Sequence, residues 1–306
     1  MIPVIVARGK TLPEAFENSL IELYNNGERM KTQYDNKDDP PSIDATANIT
    51  IEEPESDPMI YKLFPGGIGD LREYVMELQG VKDHWVKNMN DPEDTRWEYT
   101  YHQRLTDWGT WYENGSLSEG PIEGRYKAGL NLKEKTDQIE KMVENLVIAP
   151  HTRRAQAITW MPFMDNNVSD PPCLQSIWCR MTTDVTPSML WLNTNIRFRS
   201  NDAWGAAFMN MFGLTHFIRV TIANPIEENL RVPVKLGRIN WQADSYHIYG
   251  KNIEEFKNRF INKYNPYTLS ERVYCMEDPE IKAIWNEALE DVKNKIKKYD
   301  EEHNHE

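Results

Sequence analysis

The chain is poor in cysteine and has no long apolar run. Its 306 residues include only three cysteines, Cys173, Cys179 and Cys275, whose spacing matches neither a disulfide framework nor a metal site. The apolar stretch at the N-terminus is too short for a signal peptide, and no other run approaches transmembrane length. These absences predict a cytoplasmic protein that does not enter a membrane.

Positive charge is also scarce. The 35 Lys and Arg residues are outnumbered by 48 Asp and Glu residues, which gives a formal net charge of −13. Binding to a nucleic-acid backbone needs a broad positive surface, so we do not expect a general nucleic-acid binder. A small anionic ligand held by a few arginines remains compatible with this balance.

The composition is that of a globular protein, with 40% hydrophobic residues and ten tryptophans. Internal repeats and clear linkers are absent, which favours one α/β domain over residues 1–306. Residues 107–135 are rich in Gly, Glu, Lys and Ser and predict a surface insertion. An extra amphipathic helix and a polar tail are predicted over 279–306.

Apolar periodicity predicts an alternation of strands and helices. The predicted helices cover 12–26, 67–79, 202–217 and 279–299, and a further one begins near 137. The predicted strands cover 2–7, 45–51, 155–160, 177–181 and 189–196, with a strand–turn–strand over 237–249.

One short segment carries the most chemistry. Cys173 follows two prolines, with Arg153 and Arg154 upstream and Arg199 downstream. A cysteine acts as a nucleophile only as thiolate, and neighbouring guanidinium groups lower the pKa of a thiol. Arginines also bind phosphate through paired hydrogen bonds. We therefore expect covalent chemistry on a phosphorylated substrate, not the structural role that is usual for an isolated cysteine.

Further motifs surround Cys173 in a definite order. They are Arg153-Arg154, a strand ending at Trp160 with Pro162 after it, Pro171-Pro172-Cys173, Arg199-Ser200-Asn201-Asp202, Asn210, and His247-Ile248-Tyr249. From about residue 137 to residue 249, the order and most spacings resemble the thymidylate synthase family, which includes pyrimidine nucleotide 5-hydroxymethylases.

The resemblance implies a layered α/β fold with a mixed β-sheet and packed helices. It also implies that Cys173 adds to carbon-6 of a pyrimidine, so that carbon-5 can accept a one-carbon unit. The donor would be 5,10-methylenetetrahydrofolate or a related pterin carrier. Arg153, Arg154, Arg199 and Ser200 would bind the substrate phosphate. In the family the adjacent arginines come from a second subunit, which implies a homodimer with shared active sites.

The same resemblance assigns the base, sugar and pterin contacts. Asn210 would read the O4 and N3–H edge of uracil, whereas cytosine-modifying relatives carry an acidic residue there, so dUMP is the expected substrate. His247 and Tyr249 would bind the sugar 3′-hydroxyl. Asp202 would contact the pterin, although capping the helix predicted to begin there would be an equally good use of an aspartate.

The N-terminal half resembles the family more loosely. Residues 72–80 resemble the family's glutamate helix, and the spacing to Gly80 assigns the functional carboxylate to Glu73. Residues 99–104 resemble its tyrosine segment, which makes Tyr101 the expected tyrosine and Trp85 or Trp97 the expected folate-site tryptophan. The N-terminal phosphate arginine has no clear match, and its candidates are residues 29 and 31.

One departure leaves the reaction open. The short apolar C-terminus that closes the family's active site is replaced by a charged helix and tail. Closure excludes water from the reactive exocyclic methylene. Methylation of dUMP to dTMP is the expected reaction, and because this closure is replaced, 5-hydroxymethylation by water is the alternative. A catalytically silent nucleotide-binding protein is a third hypothesis.

Overall fold

The computed structural model describes residues 1–87, 93–108, 136–166, 168–183 and 188–303. Most of the predicted insertion, 109–135, lies outside these residues, as do 304–306. Within the described ranges, no helix is both long and apolar enough to cross a membrane. That residues 1–306 form a single domain stays a prediction.

Strands and helices alternate along most of the chain. Strands β1–β9 span Val4–Gly9, Glu28–Met30, Ser42–Ile51, Ile60–Tyr61, Gln156–Ile158, Leu174–Thr183, Leu190–Asp202, Val234–Ile248 and Val273–Tyr274. Helices α1–α10 span Leu12–Asn26, Ile68–Glu77, Tyr101–Thr106, Gln138–Ile148, Pro162–Asp165, Ala207–Ile218, Asn224–Leu230, Ile253–Phe256, Asn262–Tyr264 and Pro279–His303.

Within the described part of the chain, seven strands form one mixed sheet. Its order is β1-β3-β8-β7-β6-β5, with β2 paired to β3. The pairs β1–β3 and β7–β8 are parallel, and the remaining pairs in the sheet are antiparallel. The expected α/β fold with a mixed sheet and packed helices is confirmed.

Two sequence predictions were wrong in this sheet. The predicted strand–turn–strand is one strand of 15 residues, β8. Gly237 lies within β8, opposite a register shift at Asn193. The Asn193 Oδ1 would be 2.7 Å from a Cβ added at Gly237. The helix predicted from Asp202 begins only at Ala207, because β7 stays paired with β8 as far as Asp202 and His247.

The helices pack on one face of the sheet. Helix α1 lies against β1 and β3, and the almost fully buried α6 lies against α1 and α2. Helices α2 and α6 come close at Gly213, where an added Cβ would be 2.5 Å from the Tyr74 ring. The charged helix α10 packs on α2 as well. Helix α2 is therefore shared between the core and the C-terminal helix.

The opposite face of the sheet carries polar and exposed side chains. Arg197 pairs in register with Gln242, Gln242 with Asn48, and Asn48 with Val6. Val6 is 69% exposed, whereas its neighbour Ile5 is 3% exposed. This alternation is that of a sheet covered on one side only.

Candidate functional site

Cys173 lies immediately before β6, beside the end of β7. The Arg199 backbone N–H donates to the Cys173 carbonyl at 2.9 Å. The Arg199 guanidinium donates through Nε to the Pro172 carbonyl at 3.0 Å and through Nη2 to the Pro171 carbonyl at 2.5 Å. One arginine thus holds both prolines of the turn that presents the thiol.

Three effects set the acidity of this thiol. Burial raises the pKa of Cys173, the positive charge of Arg199 lowers it, and the negative charge of Asp170 raises it again. The contribution of Arg199 has the predicted sign, but burial outweighs it, so the pKa lies above its ordinary value.

Asn210, on α6, is held in a directional hydrogen-bond chain. The Trp241 indole, which can only donate, donates to Asn201 Oδ1 at 3.1 Å. Asn201 Nδ2 therefore donates to Asn210 Oδ1, at 3.0 Å, and Asn210 Nδ2 donates to the Tyr74 hydroxyl at 2.7 Å. The chain determines which way the Asn210 amide faces.

Tyrosines connect Cys173 to a neighbouring cavity. The Tyr101 hydroxyl accepts the Leu174 N–H at 3.2 Å. Burial raises the pKa of Tyr99, and negative charge at Cys173 raises it further. Both tyrosines line a cavity of about 300 Å³, whose wall consists of Glu77, Trp97, Glu98, Tyr99, Thr100, Tyr101 and Asp170.

Glu77, not Glu73, is the glutamate of α2 that reaches this cavity. Glu73 instead accepts hydrogen bonds from Lys82 at 2.6 Å and from Lys295 of α10 at 2.6 and 2.9 Å. Although burial raises the pKa of Glu73, these two lysines hold it below its ordinary value. Burial raises the pKa of Glu77, which Lys82 lowers only in part. The catalytic role assigned to Glu73 stays a prediction, and its placement does not support it.

The two candidate tryptophans lie together. The Trp85 and Trp97 rings are 5.5 Å apart and nearly perpendicular. Trp85 is buried and Trp97 is 38% exposed. Only Trp97 lines the cavity that contains Glu77, so it is the better placed of the two for contact with a planar ligand.

A second cavity, of about 190 Å³, contains the predicted sugar and phosphate groups His247, Tyr249 and Ser200. The Ser245 hydroxyl donates its only proton to Asp44 at 2.8 Å. In the 3.1 Å hydrogen bond between Ser245 and His247 Nδ1, the imidazole must therefore be the donor. An imidazole that carries its single proton on Nδ1 has Nε2 as an acceptor. Nε2 has no partner among the described residues, and it suits a hydroxyl donor.

Asp202 closes the turn between β7 and α6. Its Oδ1 accepts the N–H groups of Trp204 at 3.1 Å and Gly205 at 2.8 Å. Burial raises its pKa. The expected helix cap at Asp202 was wrong in detail, because the N-cap residue is Ala206 and Asp202 caps the preceding turn. Its contact with a pterin stays a prediction.

The structure does not bring Arg153 and Arg154 to Cys173 within one chain. Both are exposed just before β5, where the Ala155 carbonyl accepts the Cys179 N–H at 2.9 Å. Cys179 is six residues along β6 from Cys173, which corresponds to about 20 Å. Of the other arginine-site candidates, Arg29 lies over the Tyr24 ring, and Lys31 donates to three backbone carbonyls of its own loop.

Sequence reasoning missed Tyr74, Glu77, Lys82, Tyr99 and Asp170. Tyr74 and Glu77 are three residues apart on a helix, so they share one face, and this spacing was a usable signal. Asp170 is three residues before Cys173. Among the described residues, no cluster of His, Cys, Asp and Glu could hold a metal ion.

The chain is similar to proteins of one known family. The family model for thymidylate synthase matches residues 72–305. A Methanosarcina acetivorans protein named "Putative thymidylate synthase" is 29% identical over 189 residues, which are 61% of this chain and 78% of that protein. A Methanocaldococcus jannaschii protein of the same name is 27% identical over 267 residues, covering 85% of this chain and 95% of that one.

A solved structure shows the same fold. Thermostable thymidylate synthase A from Bacillus subtilis superposes with a TM-score of 0.53 and 17% identity, covering 86% of this chain and 94% of that chain.

Proposed function

We propose, because the chain belongs to the thymidylate synthase family, that it transfers a one-carbon unit to carbon-5 of dUMP. The observation that carries the proposal is the position of Cys173. Arg199 holds the turn that presents the thiol, and the N–H of the next residue, Leu174, donates to Tyr101, which lines the cavity with Glu77. The one-carbon donor is 5,10-methylenetetrahydrofolate or a related pterin.

In this mechanism the Cys173 thiolate adds to carbon-6 of uracil. The new S–C6 bond displaces the C5=C6 electron pair toward O4, and carbon-5 becomes nucleophilic. Asn210 Nδ2 retains one N–H for O4, and Oδ1 retains one lone pair for N3–H. Carbon-5 would then take up the one-carbon unit as the bond between that unit and the donor's nitrogen breaks. Loss of the carbon-5 proton and departure of the sulfur would leave an exocyclic methylene, which a hydride from the donor would convert to the methyl group of dTMP, or water to a 5-hydroxymethyl group.

Glu77 is the carboxylate we assign to proton transfer at the base and at the pterin. It borders the cavity that Tyr99 and Tyr101 line next to Cys173, and burial raises its pKa, which favours the protonated form that can donate a proton. The cavity residue Trp97 would lie against the pterin. Exclusion of water there would strengthen these interactions.

The phosphate end requires a second subunit in this proposal. Arg199 and Ser200 are on the strand that leads from Cys173 toward the sugar cavity, whereas Arg153 and Arg154 are exposed and distant. The uncovered sheet face offers a surface through which two chains could pair, each lending its arginine pair to the other. A mixed dimer of Arg154→Ala and Cys173→Ser chains should then regain activity in one of its two sites.

The proposal is tested by release of tritium from [5-³H]dUMP with methylenetetrahydrofolate. Release should occur with the wild-type protein and with Cys275→Ser, but not with Cys173→Ser, which should still bind dUMP. Retention of full activity by Cys173→Ser would exclude the covalent mechanism. A wild type that binds dUMP and releases no tritium would favour the silent nucleotide-binding alternative.

Hydroxymethylation is the second candidate function, and the position of the C-terminal helix supports it. Helix α10 packs on α2 through the pair Lys295–Glu73, on the side of α2 that Glu73 occupies and not at the Glu77 cavity. Among the described residues, none of α10 lines that cavity. Product mass separates the reactions, because only methylation gives dTMP with stoichiometric dihydrofolate.

A further inference from the structure

We propose that Lys82 is a positioning residue for this reaction, which holds Glu77 at the cavity beside Cys173. The inference rests on the proposed function, since it takes Glu77 as the working carboxylate. Lys82 follows α2 by a few residues and is absent from the motifs that relate this chain to its family.

The contacts of Lys82 are those of a buried structural cation. Its side chain is 5% exposed, and its Nζ donates to Glu77 Oε2 at 3.1 Å and to Glu73 Oε1 at 2.6 Å. Nζ also lies 5.1 Å from the centre of the Trp85 ring and 5.2 Å from that of Trp97. A buried ammonium group needs such partners, because desolvation penalises its charge.

Glu73 fixes Lys82 from the other side. The shorter bond of Lys82 is to Glu73, which two further bonds from Lys295 tie to the C-terminal helix. Lys82 is therefore anchored independently of Glu77. Its remaining N–H groups can hold the Glu77 carboxylate in one rotamer at the cavity, and this is the preorganisation that a proton-transfer group requires.

The charges around Glu77 predict opposite effects for two substitutions. On its own helix it faces Glu73 and Tyr74, Lys82 follows that helix, and Lys295 lies on α10. Across the cavity are Glu98, Tyr99, Tyr101 and Asp170. After burial, Lys82 is the largest influence on the pKa of Glu77 and lowers it, whereas Glu73 raises it. Lys82→Met should thus raise this pKa, and Glu73→Gln should lower it.

The experiment combines kinetics with a direct titration. Tritium release from [5-³H]dUMP is measured across pH for the wild type, Lys82→Met, Glu73→Gln and Glu77→Gln. Lys82→Met should lower kcat about 10- to 100-fold, the value of a lost charge-assisted hydrogen bond, with little change in dUMP affinity. The double variant Lys82→Met/Glu77→Gln should be no slower than Glu77→Gln alone, because Lys82 acts through Glu77.

Carboxyl ¹³C NMR of the unliganded protein, with Glu77→Gln identifying the resonance, should show the two opposite shifts directly. Lys282→Met is the matched control, because Lys282 pairs with Glu277 on the surface at 2.6 Å and should change neither readout.

Additive effects of Lys82→Met and Glu77→Gln, or a Glu77 titration that Glu73→Gln leaves unmoved, would overturn the inference. The Glu73→Gln arm decides even if Lys82→Met does not fold. If the wild type released no tritium, the proposed function would be overturned instead. The NMR titration does not depend on activity, so it would still test the effect of Lys82 and Glu73 on Glu77.

Discussion

Because the hydrogen-bond chain from Trp241 to Asn210 has a fixed direction, replacing one atom in it should change which base the site prefers. Asn201→Asp replaces the Nδ2 that donates to Asn210 with an oxygen that can only accept when ionised. Trp241 still donates to the other oxygen. Asn210 must then turn its Nδ2 toward residue 201 and its Oδ1 toward Tyr74, whose hydroxyl can donate in turn.

The rotated amide presents an acceptor where uracil O4 needs a donor. The same arrangement matches the amino group and N3 of cytosine. Two hydrogen bonds to the base are reversed, each costing about 1 kcal/mol or more when left unpaired. The ratio of kcat/KM for dUMP to that for dCMP should fall by at least about 30-fold, which corresponds to about 2 kcal/mol.

The assay is tritium release from [5-³H]dUMP and [5-³H]dCMP between pH 6 and pH 9. Burial should raise the pKa of the new carboxyl, and its protonated form can donate like the original amide. The preference for dUMP should therefore recover at low pH. Asn195→Asp, on the same strand and beside Arg238, is the matched control. A folded Asn201→Asp protein with an unchanged ratio at every pH would refute the reasoning.

Three further predictions concern the thiol and the core. Arg199→Met should raise the Cys173 pKa and slow its alkylation by iodoacetamide about tenfold for each unit of pKa, whereas Arg197→Met on the exposed sheet face should not. Asp170→Asn should lower the same pKa and speed alkylation, and a slower rate would contradict the assigned sign. Glu17→Gln should reduce the free energy of unfolding in urea by about 3–5 kcal/mol, because it breaks the buried pair with Arg272 at 2.7 Å.

Local sequence patterns predicted the bounds of a helix better than they predicted which of its sides faces the site. The span 12–26 agrees with α1 at both ends, because Pro13 and the apolar spacing are local signals. Glu73 was chosen by counting residues to Gly80, yet the side of α2 that meets the cavity is set by packing against α6 and α10. Gly213, which admits the Tyr74 ring, is one sign of that contact, and Tyr74 is far from it in sequence.

The nucleophile could be predicted from the sequence because Cys173 and its partner Arg199 belong to neighbouring motifs. Cys173 directly precedes β6, and Arg199 lies on β7, which pairs with β6, so a short stretch of chain contains both. Lys82 was not readable, because a lysine in a charged segment is ordinarily exposed. Its burial follows from Trp85, Glu73 and the C-terminal helix acting together, and no single spacing records that arrangement.

The C-terminal helix therefore bears on the chemistry from behind the site. Tyr299 packs against Trp85 with the ring centres 4.1 Å apart and the ring planes tilted by 34°, and Asp300 contacts His84 at 2.6 Å. A helix held by these contacts and by Lys295 supports the wall that carries Lys82 and, through it, Glu77. Removing residues 279–303 should thus impair proton transfer at the base before it affects nucleotide binding. If the truncated protein instead kept kcat and lost affinity for dUMP, the helix would act on the substrate and not on the carboxylate.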